Sequence, residues 1–320
     1  MDTRAGVRHG DRVGRADPSR EARAAARGLA RRAFLADACG LALVPLMSGC
    51  RAPRGAAGDG AEALRAIERR VGGRLGVMAL DTGRGAGVAY RADERFALCS
   101  TFKLVLAAAV LARVDAGRED LARPVPYDAA ALLEYAPVAR AHVGEGALSV
   151  AALCEAAVTV SDNTAANLLL GTLGGPAGLT RYFRALGDPV SRLDRDEPTL
   201  NAARPGDARD TTTPRAMAHT AARVLVGDAL RAASRARLVQ WLEACTTGHA
   251  RLRAGLPRGW RAGDKTGTGD RGTSCDVAIA WPPGRAPWLV AAYLTDSPGS
   301  GDARNAALAH VATAVTTQRR

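Results

Sequence analysis

Apolar residues recur at helical spacing from Ala61 to Val71, and the pattern then changes to two short runs, Gly76–Leu80 and Gly87–Tyr90, around the polar Asp81–Gly85. That change predicts a helix followed by a two-stranded hairpin. From Thr101 to Val114 the chain is apolar on nearly every side, as suits a helix that is surrounded. Ala/Leu-rich stretches of helical spacing follow at 149–158, 163–172, 177–186, 215–226 and 228–245. Strand patterns return at 260–266, 275–281 and 287–294, and Ala303–Thr317 reads as a closing helix. Strands at both ends with helices between them predict an α/β unit whose antiparallel sheet, flanked by helices, is built from both chain ends. This unit takes residues 61–95 and 246–320, and an all-α lobe, 96–245, is inserted into it. No internal repeat is visible.

One stretch follows neither period. In Arg192–Asp210, nine of nineteen residues are charged, four positive and five negative. A loop this long without its own secondary structure is usually functional or disordered. Here the near-cancelling charge and the core-type Leu193 and Leu200 predict an ordered, self-paired loop.

The first fifty residues read as an address. Residues 1–30 are polar, rich in Arg and Ala and without periodicity. Arg31-Arg32-Ala33-Phe34-Leu35 then precedes the weakly apolar Ala38–Met47, a twin-arginine export pattern. Ten residues that include Pro45 are too few to span a bilayer's hydrocarbon core. Leu46-Met47-Ser48-Gly49-Cys50 resembles a lipoprotein cleavage site with Cys50 as the acylated residue, although Met47 stands where Leu is preferred. The expectation is an exported protein, periplasmic or extracellular, with Cys50 as a candidate membrane anchor. A start downstream of Met1 is an alternative. Residues 51–60 form a small-residue tether, leaving 61–320 as the folded unit.

Composition narrows the classes further. At 47% apolar residues the chain can bury a sizeable core. Its net charge is +12; the first fifty residues hold nine Arg against five acids, so about +8 remains for the rest. That charge is scattered singly among acids, and aromatics are only 4%, which argues against a nucleic-acid groove or a basic surface-binding module. The six Cys form no CxxC spacing, and none of the five His makes a pair at ligand spacing. Neither a metal nor a cofactor is expected.

Candidate chemistry starts from a scarcity. The chain carries two lysines against 42 arginines, and both lysines fall within short motifs, Ser100-Thr101-Phe102-Lys103 and Lys265-Thr266-Gly267. A preference for Arg explains the scarcity but not where the exceptions sit. An amine can lose its proton when desolvated and act as a base, whereas a guanidinium stays charged. If Ser100 opens the helix, Lys103 lies one turn along on the same face and can approach its hydroxyl. A Ser cap with a surface Lys is the alternative for an isolated match. The apolar run Leu104–Leu111 buries this helix, so the ammonium of Lys103 needs oxygen partners nearby. Ser161-Asp162-Asn163 precedes a helical pattern and could be only a cap; Lys265-Thr266-Gly267 could be only the end of a half-buried strand.

Taken together, Ser100-x-x-Lys103, Ser161-Asp162-Asn163, Glu197-x-x-x-Asn201 and Lys265-Thr266-Gly267 stand in the order and spacing of the class A serine β-lactamases. The resemblance extends through Ser161–Leu170 and Asp210-Thr211-Thr212-Thr213-Pro214, and covers essentially residues 60–318. It implies a β-lactamase/transpeptidase-like fold and hydrolysis of β-lactams, hence antibiotic resistance, by a monomer without metal or cofactor. Ser100 would be the nucleophile, and the N–H groups of Ser100 and Thr268 the oxyanion hole. Ser161 would pass a proton to the leaving nitrogen, with Lys103 and Lys265 holding the network. Asn163 would bind the substrate's side-chain amide, and Lys265, Thr266 and Thr268, around Gly267, its carboxylate. Glu197 and Asn201 would hold the hydrolytic water, with Glu197 as its base; whether Lys103 or Glu197 takes the first proton stays open. Arg195 and Asp210 match the ion pair that closes the family's omega loop, and Glu197–Pro198 is a cis candidate. During export the partner would be the twin-arginine translocase.

Some positions depart from the family's usual pattern. Many relatives carry an Arg where this chain has Ser274; a subset supplies it at the position of Arg251, which is therefore assigned to the substrate carboxylate. Cys99 resembles the carbapenem-hydrolysing subgroup, but the Cys partner of that subgroup would fall at Gly269, and Cys275 on the next strand is expected to be beyond normal disulfide reach. The Cys pair common elsewhere would need a Cys at Ala107 opposite Cys154. Carbapenem activity thus does not follow from Cys99. Two rivals share the motif logic. A D-Ala-D-Ala peptidase lacks a deacylating Glu, and a penicillin-binding sensor that stays acylated would normally follow a transmembrane region.

Overall fold

The structure is a computed structural model describing residues 57–317. The twin-arginine segment, Cys50 and residues 51–56 of the expected tether lie outside the described residues. In chain order the elements are α1 Ala57–Val71, β1 Arg74–Asp81, β2 Ala86–Tyr90, β3 Phe96–Ala97, α2 Phe102–Asp115, β4 Pro124–Pro126, α3 Pro137–Ala141, β5 Ala147–Ser149 and α4 Val150–Thr159. Then come α5 Asn163–Thr172, α6 Gly175–Ala185, β6 Thr211–Thr212, α7 Pro214–Leu225, α8 Ala232–Glu243, β7 Arg261–Gly269, β8 Thr273–Trp281, β9 Trp288–Thr295 and α9 Gly301–Thr317.

Five strands form an antiparallel sheet in the order β2-β1-β9-β8-β7, so the first and last strands of the chain meet at its centre. Arg74 faces Thr295 and Asp81 faces Trp288 along that seam. The sheet is buried on both faces, which is why β9 reads as one apolar run instead of an alternation. Along it, Val290, Ala292 and Leu294 join a core with Leu64 and Ile67 of α1 and Leu308, Val311 and Val315 of α9. The intervening Leu289, Ala291 and Tyr293 face the core shared with the helical lobe. Within that lobe Phe102–Leu111 of α2 is buried at every position, as its all-round apolarity requires.

Helix and strand types match the sequence pattern, and the differences are at boundaries and short pieces. The first helix begins at Ala57, taking four residues of the expected tether. The helix expected at 228–245 starts only at Ala232, where Asp115 Oδ2 accepts the Arg231 N–H at 2.7 Å. Before it, residues 227–230 form a bend. Strand β7 runs on to Gly269, three residues past the expected end. The pairs β3–β6 and β4–β5 and the five-residue α3 were not predicted. Two or three residues carry no measurable period, and Pro124 and Pro126 argue against a strand except at an edge.

The 192–210 loop is ordered by its own charges, as its composition predicts. Asp210, fully buried, accepts the N–H groups of Asp194 and Arg195 at 2.7 and 2.9 Å and Arg195 Nε at 2.5 Å. Arg192 pairs with Asp194, and Arg209 with Asp207 at 2.8 Å. A 3₁₀ turn spans Thr199–Ala202, and the Glu197–Pro198 peptide is cis.

Asp210→Ala would leave the partly buried N–H groups of Asp194 and Arg195 without their acceptor and the Arg195 guanidinium with only the more distant Asp207. The expected loss is about 3 kcal/mol of stability, read as a lower urea midpoint at unchanged slope. A midpoint equal to wild type would show that the loop is held elsewhere.

Candidate active site

Three segments distant in sequence meet around the ammonium of Lys103. Ser100 lies in a 3₁₀ turn, Cys99–Thr101, that leads into α2, so Lys103 follows one turn along the same face. Lys103 Nζ donates to Ser100 Oγ at 3.0 Å, the Ser161 carbonyl at 2.9 Å, Ser161 Oγ at 3.3 Å and Asn163 Oδ1 at 2.6 Å. Glu197 Oε1 lies 2.9 Å from the same nitrogen, and neither side chain is exposed. Three N–H bonds are thus shared among five oxygens, the surroundings that a buried ammonium requires.

The carboxylate of Glu197 joins the loop to the nucleophile's helix. Ser100 Oγ donates to Glu197 Oε1 at 3.2 Å, and Asn201 Nδ2 donates to Glu197 Oε2 at 2.6 Å. Asn201 Oδ1 is buried without a hydrogen-bond partner among the described residues. Asn167 fixes the Glu197 backbone: its Nδ2 donates to the Glu197 carbonyl at 2.9 Å, and its Oδ1 accepts the Glu197 N–H at 3.0 Å. Sequence reasoning did not single out Asn167, although an amide four residues after Asn163 lies on the same helical face.

The middle motif divides its labour. Asp162 is the cap that its residue type suggests: Oδ1 accepts the Ala165 N–H at 2.9 Å, while Oδ2 accepts those of Val138 and Ala139, each at 2.9 Å. Ser161, at φ +62°, is turned so that its hydroxyl lies between the two lysines, with Lys265 Nζ donating to it at 3.0 Å. Tyr135, exposed and also missed from sequence, accepts the Asn163 N–H at 3.0 Å through its carbonyl.

On the other side β7 runs past the nucleophile. A Cβ at Gly267 would lie 3.0 Å from Ser100 N, 2.9 Å from Cys99 Cβ and 2.7 Å from Cys275 Sγ, so only glycine allows this approach. Thr266 Oγ1 meets Thr247 Oγ1 at 2.5 Å, and Thr268 is exposed. Arg251 is buried, with Nη1 on the carbonyls of Gly267 (2.7 Å) and Cys275 (2.8 Å), Nη2 on Thr268 Oγ1 (2.8 Å) and Nε on Asn305 Oδ1 (2.9 Å). Four oxygens already engage this guanidinium. It therefore reaches the motif face through the Thr268 hydroxyl rather than as an open cation. Cys99, Cys154, Cys245 and Cys275 are all buried and unbridged.

The chain matches the profile of the Beta-lactamase enzyme family over residues 60–318. It is a class A serine β-lactamase by family. The β-lactamase CTX-M-8 of Citrobacter amalonaticus is 46% identical over 275 residues, covering 86% of this chain and 94% of that one. The carbapenem-hydrolyzing β-lactamase KPC of Klebsiella oxytoca is 49% identical over 249 residues, covering 78% and 84%. Among solved structures, an ancestral class A β-lactamase shares 60% identity at a TM-score of 0.79, covering 80% of this chain and 98% of that one. A putative class A β-lactamase, PenP, from Rhodopseudomonas palustris shares 53% at 0.78, covering 80% and 97%.

In this class A β-lactamase both site lysines lose protons more easily than a free amine. Burial lowers the Lys103 pKa, and the Glu197 carboxylate opposes the shift. Burial, then the charge of Lys103, bring Lys265 down to about 8, with Cys245, Asp264 and Asp276 acting the other way. A cavity of about 680 Å³ between α7 and residues 186–190 shares no lining residue with this constellation.

Because the chain has only two lysines, carbon-13 labelling of lysine Cε should give two resolvable signals, both titrating below the free-amine value of 10.5. Lys265 should be mostly, about nine-tenths, charged at pH 7 and half discharged near 8. Two signals moving together near the free-amine value would contradict the burial argument.

Proposed function

We propose that the protein hydrolyses the amide of a β-lactam ring through a serine acyl-enzyme, conferring resistance to β-lactam antibiotics. The observation that carries this reading is the bridge made by Glu197, one oxygen 3.2 Å from Ser100 Oγ and the other 2.6 Å from Asn201 Nδ2.

The reaction follows from the contacts. Ser100 Oγ attacks the lactam carbonyl carbon as its proton passes to a base; Glu197 Oε1 and the Lys103 amine are both within reach. The N–H groups of Ser100 and Thr268 stabilise the oxyanion. The C–N bond then breaks, and the Ser161 hydroxyl, held between Lys103 and Lys265, gives its proton to the leaving nitrogen; the proton taken from Ser100 passes through Lys103 to restore that hydroxyl, so the base is free again. A water held by Glu197 and the unpartnered Asn201 Oδ1 attacks the ester carbon as Glu197 takes its proton. The ester C–O bond breaks, the proton returns to Ser100 Oγ, and a ring-opened β-amino acid leaves. Asn163 binds the substrate's side-chain amide. Lys265, Thr266 and Thr268 hold its carboxylate, with Arg251 orienting the Thr268 hydroxyl and adding charge behind it.

A D-Ala-D-Ala peptidase or a sensor that stays acylated would use the same Ser100, Lys103 and Lys265, but neither needs a carboxylate and an amide gripping one water. Ser100→Ala should abolish acylation and turnover together. Glu197→Ala should still acylate with benzylpenicillin but deacylate about 10²–10⁴-fold more slowly, seen as a stable adduct by intact mass. A wild-type chain that keeps its adduct for hours would favour the sensor.

Arg251→Ala should raise KM for penicillins about tenfold and change kcat less, since a carboxylate contact exists in ground and transition states alike. An unchanged KM would assign the carboxylate to Lys265, Thr266 and Thr268 alone.

Export by the twin-arginine route is part of the proposal, supported by Arg31-Arg32-Ala33-Phe34-Leu35 before a short apolar run, with Cys50 as the candidate lipid anchor. Replacing both Arg31 and Arg32 with Lys should strand the protein in the cytoplasm, and Cys50→Ser should release it from membranes. Unchanged fractionation of either variant removes the corresponding part.

A further inference from the structure

Behind the catalytic loop is a cavity of about 160 Å³, between residues 195–209 and the sheet edge at Arg74, Phe96, Ala97 and Thr295. Five arginines line it, Arg74, Arg95, Arg195, Arg204 and Arg209, against two carboxylates, Asp207 and Asp296. Most of this charge is already paired. Arg195 bonds Asp210, Arg209 bonds Asp207 at 2.8 Å, Arg74 bonds Glu94 at 3.1 Å, and Asp296 is held by Arg271 at 2.6 Å. The Arg209 contact keeps the Asp207 carboxyl well below the usual carboxylate range, so it remains an anion at neutral pH.

Two guanidinium groups are left over. Arg95 donates to neutral oxygens only, the Val190 carbonyl at 3.1 Å and Thr211 Oγ1 at 2.9 Å. Arg204 has no side-chain hydrogen bond or ion pair among the described residues. Two exposed arginines without a carboxylate partner thus line one small volume, where Arg's planar fork suits an oxyanion better than a point charge would. We propose that this cavity is a binding site for a small free oxyanion of the phosphate class, held chiefly by Arg95 and Arg204.

One wall of the cavity is the loop that carries Glu197 and Asn201; the other includes Ala97, three residues before Ser100. An anion bridging the walls therefore holds the loop against the sheet. Binding is distinct from the chemistry proposed above, and its test does not depend on hydrolysis.

Amide hydrogen exchange of the purified chain, measured with rising inorganic phosphate at constant ionic strength, reads the site directly. The expected result is saturable protection of residues 195–209, with opening about tenfold rarer at phosphate ten times its dissociation constant. Arg204→Ala should weaken that protection and Arg204→Glu abolish it, both with phosphate-free turnover unchanged, since Arg204 contacts none of the site residues. Protection that chloride reproduces equally, or that survives intact in Arg204→Glu, would overturn the proposal.

Discussion

A buried ammonium must be surrounded by oxygen, and in this chain that requirement organises the site. Lys103 is on a helix whose other positions are core, so its charge has no route to water. The oxygens come from three places that sequence keeps apart: its own first turn, the left-handed Ser161 with Asn163, and Glu197 on the long loop. Each supplier must itself be held. Asp162 ties its segment to α3, Asn167 clamps the Glu197 backbone, and Asp210 closes the loop behind it. Removing any of these tethers leaves the ammonium under-solvated, so catalytic geometry and local stability are one problem here.

The second constraint is proximity of backbone. Strand β7 can pass the nucleophile's turn only because Gly267 has no side chain, and Gly269 is similarly close to the Asn201 carbonyl and Cys99 Sγ. The Asp270 N–H then bonds the Asn201 carbonyl at 2.9 Å, so the strand end, the nucleophile's turn and the loop form one contact surface. Arg251 reinforces this from within by bonding carbonyls on both β7 and β8. The same contact brings the Cys275 thiol within hydrogen-bond reach of Cys99, nearer than the sequence pattern led one to expect, and the two thiols are unbridged.

Much of this was readable from the chain because the strongest signals are local. A ten-residue buried helix, a sheet built from both ends and a self-neutralising loop each leave a composition or period that short windows detect. The two lysines mark both basic positions, and Glu197 with Asn201 marks the loop's purpose. What was not readable depends on pairing across distance. The β3–β6 pair has two residues per strand and no period, β7 runs three residues beyond its apolar pattern, and Asn167 looks like any polar residue in a helix. Arg251 was legible as a cation near the motif, but not as a group already engaged by four oxygens.

The seam between β1 and β9 has a consequence for synthesis. Met78 finds its partner at Ala291, so the strand made first cannot be paired until nearly the whole chain exists. Contacts of such long range make for slow assembly, while the α2-centred lobe can organise from nearer neighbours. A chain ending before Trp288 would contain Ser100, Lys103, Ser161, Glu197 and the full Lys265–Thr268 segment. Yet its sheet would lack the central strand, splitting the β1–β2 hairpin from the β7–β8 pair. A fragment can therefore carry every reactive group and still have no site, because the element that aligns them arrives last.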